Sequence, residues 1–137
     1  MSKVLFDVTV LQQIQLFEKV TGARVKDCIA SDVLLFIVEN GDIGKAIGKG
    51  GSVLKKVEGL LKKPLKIVEF NADICEFVKT YLKPLRVTDI SCKDDVVTIR
   101  GLDGPSKGKI IGRDKKNLNF LVSLLKRYFT VERVDLE

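Results

Sequence analysis

Histidine is absent from this chain, and cysteine is scarce: three in 137 residues. Without histidine the commonest general base is missing, and so is half of the usual zinc-ligand set. Cys28, Cys75 and Cys92 lie 47 and 17 residues apart. That spacing builds no CxxC metal knuckle, and an odd count builds no closed disulfide framework. Three reduced, mostly buried thiols are expected, as in an intracellular protein. No apolar run approaches the length of a membrane span. Residues 1–10 have neither a basic start nor an apolar segment of the secretory kind, so a cytoplasmic location is expected. No Ser/Gly-rich linker interrupts the chain, and the three prolines, Pro64, Pro84 and Pro105, stand where helices or strands should end.

What is abundant is positive charge, and it is concentrated. The total is +6. Residues 41–66 carry seven lysines against Asp42 and Glu58, a net +5. Residues 101–127 carry seven basic residues against Asp103 and Asp114, again +5. The rest of the chain is therefore net −4. Such clustering is the footprint of a polyanion partner.

Each basic segment surrounds a glycine loop. Residues 44–54 read Gly-Lys-Ala-Ile-Gly-Lys-Gly-Gly-Ser-Val-Leu, and residues 108–118 read Gly-Lys-Ile-Ile-Gly-Arg-Asp-Lys-Lys-Asn-Leu. At an offset of 64, Gly44/Gly108, Lys45/Lys109, Ile47/Ile111, Gly48/Gly112, Lys49/Arg113 and Leu54/Leu118 correspond. The first loop fits no nucleotide motif. A Walker A loop needs four residues between its glycines and then Lys-Ser/Thr, whereas Gly44 and Gly48 have three between them. A dinucleotide fingerprint starting at Gly48 needs glycine where Val53 stands. The amides of Gly50, Gly51 and Ser52 are instead expected at a helix N-terminus, where N–H groups and the dipole suit a phosphate oxygen. Lys49 adds a mobile cation, and Ile47, Val53 and Leu54 offer an apolar shelf for a base.

The duplication extends beyond the loops and predicts two units of about 65 residues. In the first, a helix over 9–21 starts at a Thr9/Gln12 capping box, carries an apolar stripe of Val10, Leu11, Ile14 and Phe17, and stops at Gly22. Strands over 24–30 and 33–39 form a hairpin turning at Ser31-Asp32. A short helix over 43–47, the loop, a helix over 52–62 and a strand over 65–70 follow. The second unit repeats the order. A helix over 71–83 is capped by Asn71, strands run over 86–92 and 95–100, and a turn falls at Asp103-Gly104-Pro105. The loop then leads to a helix from about Leu118 to Tyr128 and a strand over 131–136. Asp94-Asp95 is expected as a hairpin turn.

Ile47-Gly48-Lys49-Gly50-Gly51-Ser52-Val53-Leu54 resembles the I-G-x-x-G-x-x-[IL] signature of KH domains, whose GXXG loop clamps about four nucleotides of backbone. The element order resembles the type II, prokaryotic arrangement, over roughly 8–70 and 71–137. Two such units in so short a chain resemble the archaeal NusA-like transcription factors. Leu16-Phe17-Glu18-Lys19-Val20-Thr21-Gly22-Ala23 is similar to that family's opening, and Lys126-Arg127-Tyr128-Phe129 to the end of its second unit. The second loop departs from the pattern: its GXXG positions are Gly112-Arg113-Asp114-Lys115.

The resemblance implies an α+β fold of two tandem type II KH domains, 1–70 and 71–137, each a three-stranded sheet covered on one face by helices. It implies single-stranded RNA binding in transcription elongation and termination, with RNA polymerase as a candidate protein partner. The RNA-contacting set is Ile47, Gly48, Lys49, Gly50, Gly51, Ser52, Val53, Lys55 and Lys56, with Ile111, Gly112, Arg113, Lys115 and Lys116 in the degenerate second loop. Bases are expected on Ile47 and Val53 and against the second strand, 33–39. No catalysis, cofactor, metal, membrane or small-molecule substrate is expected. A ribosome-associated KH protein and a polymerase adapter with relic loops are the alternatives.

Overall fold

A computed structural model describes residues 8–30, 33–83, 85 and 87–137. The fold is α+β, and the chain divides into two compact units, Met1–Asn71 and Ala72–Glu137.

In the first unit, α1 (Val8–Thr21) is already helical at Thr9, so Thr9 is not the expected cap. The apolar stripe buries Phe17 completely, but Leu11 is exposed. Gly22 ends the helix as expected: its N–H donates to Glu18 O at 2.8 Å, and its φ of +76° turns the following chain out of the helix. Strands β1 (Val25–Ala30) and β2 (Leu34–Val38) pair antiparallel, with Cys28 opposite Phe36. Their predicted turn, Ser31-Asp32, lies outside the described residues. Two helices, α2 (Ile43–Ile47) and α3 (Ser52–Leu61), carry the chain over to β3 (Leu65–Glu69), which pairs parallel with β2. The sheet order is β1-β2-β3.

One face of β2 supplies Leu34, Phe36 and Val38 to a core shared with Phe17, Cys28, Ala46 and Val57. Phe17 stacks on Phe36 with ring centroids 4.2 Å apart. Because side chains alternate along a strand, Leu35 and Ile37 point the other way, yet both are buried. All five residues of β2 are thus buried.

The second unit begins with α4 (Ile74–Leu82). Its cap is Asp73 rather than Asn71: Asp73 Oδ1 accepts from the N–H groups of Cys75 at 2.8 Å and Glu76 at 3.4 Å. Strand β4 (Asp89–Lys93) starts three residues later than expected and pairs antiparallel with β5 (Val96–Arg100). Asp94 and Asp95 both have positive φ, which makes the two-residue hairpin loop. The predicted turn at 103–105 is instead the start of a helix, α5 (Gly104–Ile111). Asp103 caps it, accepting from Ser106 N–H at 2.7 Å, and Pro105 fits the first turn because no N–H is needed there. Helix α6 (Lys116–Tyr128) leads to β6 (Arg133–Leu136), parallel to β5, in a β4-β5-β6 sheet. Here burial alternates along β5: Val97 and Ile99 are buried, while Val96, Thr98 and Arg100 are not.

The cysteines differ from expectation. Only Cys28 is buried; Cys75 is half-buried and Cys92 exposed, all three as free thiols. Burial first, and the neighbouring Asp27 second, push the Cys28 thiol up to about 11.

Candidate nucleic-acid interface

The two glycine loops have the same backbone. Gly48 has φ 74° and ψ 174°, and Gly112 has 73° and 176°. Gly50 (62°, 20°) matches Asp114 (54°, 31°), and Gly51 (78°, 13°) matches Lys115 (62°, 20°). In both, the first glycine closes the preceding helix: Gly48 N–H donates to Gly44 O at 2.9 Å and Gly112 N–H to Gly108 O at 2.8 Å. A 3-10 turn then re-aims the chain into α3 or α6. The second unit keeps this geometry with Asp and Lys in left-handed conformations that glycine adopts more readily.

The conserved geometry has a steric cause at its first position. A Cβ on Gly48 would lie 2.5 Å from Val53 Cγ2 and 2.9 Å from Val53 N. At Gly112 it would lie 2.6 Å from the Asn117 side chain, whose Nδ2 donates to Lys109 O at 3.0 Å. The helix that follows folds back onto the glycine in each unit. At Gly50 and Gly51 an added Cβ would meet nothing within 4 Å, so space there is open toward solvent.

The sequence-predicted residues of the first loop come together around this turn. Lys49, Gly50, Ser52, Lys55 and Lys56 are exposed; Ile47, Gly48, Gly51 and Val53 are half-buried. In the second loop Arg113, Lys115 and Lys116 are exposed, Ile111 and Gly112 half-buried, and Asp114 adds an exposed carboxylate among them. Two expectations are corrected. Gly51 N–H donates to Gly48 O at 3.2 Å and Ser52 N–H to Lys49 O, so two of the three amides assigned to an anion close the turn instead. The strand beside α2 is the edge strand β3, not β2, whose side chains are all buried. Val53 and Leu54 belong to the core margin, so the apolar shelf is narrower than predicted.

Sequence reasoning did not single out Lys45 and Lys109 for the site. Both are exposed on the helices entering the loops, and their match at offset 64 was the available signal. Nor did it find Asp42. This carboxylate accepts from Arg24 N–H at 2.8 Å and Arg24 Nε at 3.2 Å, with Lys45 Nζ at 3.8 Å. It thereby fastens the start of α2 to the approach of β1. The Arg24 backbone hydrogen bond, more than the nearby cations, holds the Asp42 carboxyl below the usual range. No helix among the described residues is long and apolar enough to cross a membrane.

Fold and loops define a class: an internally repeated α+β protein whose halves each present a basic helix–loop–helix turn beside a three-stranded sheet. No family model matches the sequence. Relatives match along nearly all of it. The chain is 34% identical to the "Probable transcription termination protein NusA" of Halococcus morrhuae, over 98% of this chain and 99% of that one. It is 30% identical to the protein of the same name in Methanocaldococcus jannaschii, over 98% of this chain and 75% of that one. Its fold is similar to the crystal structure of APE1850, with TM-score 0.72, 29% identity, and coverage of 93% of this chain and 96% of that one. The chain belongs to the archaeal NusA-like family of transcription factors.

Proposed function

We propose that this protein binds single-stranded RNA through two tandem type II KH domains, 1–70 and 71–137, and acts on transcription elongation and termination. The observation that carries the reading is the pair of loops with one backbone geometry, each inside a segment of net charge +5. The order helix–strand–strand–helix–loop–helix–strand in both units supports the type II assignment. A phosphate meets the Lys49 side chain and the exposed Gly50 backbone. Lys45, Lys55 and Lys56 neutralise its neighbours. A base rests on Ile47 and the exposed part of Val53, toward the β3 edge. The second loop contributes Arg113, Lys115 and Lys116, weakened by Asp114. RNA polymerase is the protein partner this role brings with it. The chemistry is binding, not catalysis.

RNA affinity by fluorescence anisotropy tests the reading, with thermal melts as the folding control. Lys49→Asp with Gly50→Asp should remove most binding, because two carboxylates replace attraction with repulsion. Arg113→Asp should cost less, since Asp114 already compromises that loop. Equal losses overturn the ranking of the loops. No loss in either variant overturns RNA binding through them and favours the polymerase adapter.

A further inference from the structure

Helix α3 breaks two local rules within four residues. Gly59 stands inside the helix, where glycine is unfavourable. Its φ is outside the left-handed region, so it is not a helix stop, and a Cβ there would meet nothing within 4 Å. Among the described residues no neighbour requires glycine. Three residues on, Lys62 ends the helix at φ 55° and ψ 38°, its N–H donating to Glu58 O at 2.8 Å. Glycine is the usual residue for that left-handed stop. The helix thus has glycine where a side chain would stabilise it and lysine where glycine would.

Both residues line one open depression of about 430 Å³, together with Glu58, Lys63 and Pro64. The Glu58 carboxylate is engaged within the chain, Oε2 accepting from Leu65 N–H at 3.0 Å. Gly59 is also continuous with the loop. Ser52, Lys55, Lys56 and Gly59 recur at helical spacing on the exposed face of α3. From Ser52 to Gly59 the helix rises about 10 Å. At the same offset of 64 the second unit has Ser123, Lys126 and Arg127. Basic residues at a helix C-terminus have an ordinary explanation in the helix dipole. That explanation covers both basic pairs and leaves Gly59 without a cause inside the fold.

We propose that the outer face of α3 together with the two lysines just past its end, from Lys55 and Lys56 across Gly59 to the exposed Lys62 and the half-buried Lys63, is a second contact for the RNA backbone. Gly59 lets the sugar–phosphate chain lie against the helix itself, and the four lysines neutralise its phosphates. The contact rests on the RNA-binding reading of the loop and lengthens the bound strand beyond the nucleotides the loop clamps. Continuity with the loop favours RNA here over an acidic protein segment.

The test compares an RNA of about 5 nucleotides, enough for the loop alone, with one of about 12. Gly59→Gln should melt a few degrees higher, because a good helix former replaces glycine. It should also lose affinity for the longer RNA, by about 5-fold or more, and keep its affinity for the shorter. Lys62→Gln with Lys63→Gln should lose affinity for the longer RNA only, and flatten its log K against log[salt] slope by about 1.4. Lys49→Asp with Gly50→Asp should lose both RNAs. If Gly59→Gln binds the longer RNA as the wild type does, the inference is overturned while the loop reading stands. If the lysine pair weakens both lengths equally, its effect is general charge and the inference falls. If Gly59→Gln and the lysine-pair variant spare RNA but weaken capture of a polyglutamate peptide, an acidic protein segment is the occupant instead. If the loop variant keeps both RNAs, it is the loop reading that fails.

Discussion

Gly48 and Gly50 stand two positions apart in one loop and are glycine for different reasons. Gly48 combines a backbone region reached almost only by glycine with a helix wall at 2.5 Å. Gly48→Ala should therefore destabilise the first unit by at least about 2 kcal/mol, strain and overpacking acting together. Gly50 faces open space, and its counterpart Asp114 holds the same conformation. Gly50→Asp should cost no more than about 1 kcal/mol. By the same logic Lys115→Gly should stabilise the second unit by up to about 1 kcal/mol, because it relieves a left-handed lysine. Urea melts of the three variants give these numbers. Equal costs at Gly48 and Gly50 would show that the Val53 wall yields freely.

At the scale of elements, the short α2 depends on Asp42. A five-residue helix is too short to hold itself together, so its position depends on tertiary ties. Asp42 makes no side-chain cap on α2 and instead bonds Arg24 at the approach to β1. Its folded pKa lies below the ordinary value of 3.8, so its contribution is complete at neutral pH. The contribution is lost as pH falls below about 4 and through the folded pKa. Asp42→Asn should be less stable than wild type at pH 7, and the gap should narrow on acidification. Denaturant melts at pH 7 and at pH 3 check the sign. A gap that widens toward acid would rule out the ionised carboxylate as the source. Asp73 and Asp103 teach a related lesson about caps. Asp73 starts a helix whose expected cap was Asn71, and Asp103 starts a helix where a turn was expected. Asn71 was an equally acceptable cap by residue type, and only the hydrogen bonds to Cys75 and Glu76 select Asp73.

For the whole molecule the governing quantity is charge placement. Net +6 is modest, but +10 lies in two segments and the remainder is acidic. If about four phosphates are neutralised, log K for single-stranded RNA should fall against log[salt] with a slope near about −3. A flat response in a salt titration would mean that no phosphate-tracking surface exists. Neither the acidic remainder nor the total charge predicts that slope; the local clusters do.

The sequence by itself determined the order of elements, the two loops and the basic segments around them. Those features are local: helical spacing in 52–61 and 116–128, a glycine that ends α1, and lysines adjacent to glycines are all read within a few residues. Tertiary structure decided what depends on distant approach. It placed β3 rather than β2 beside α2, and buried every residue of β2. It also left Cys92 exposed while burying Cys28. It set Val53 and Asn117 against the glycines five residues before them, a contact that exists only once the chain has turned back on itself. The second loop shows the division most plainly. Its residues Arg113-Asp114-Lys115 read as the loss of a glycine motif, yet the fold holds them in the geometry of the intact one. Local preference is worth about 1 kcal/mol at each such position. Packing of the helices on either side of the turn outweighs it.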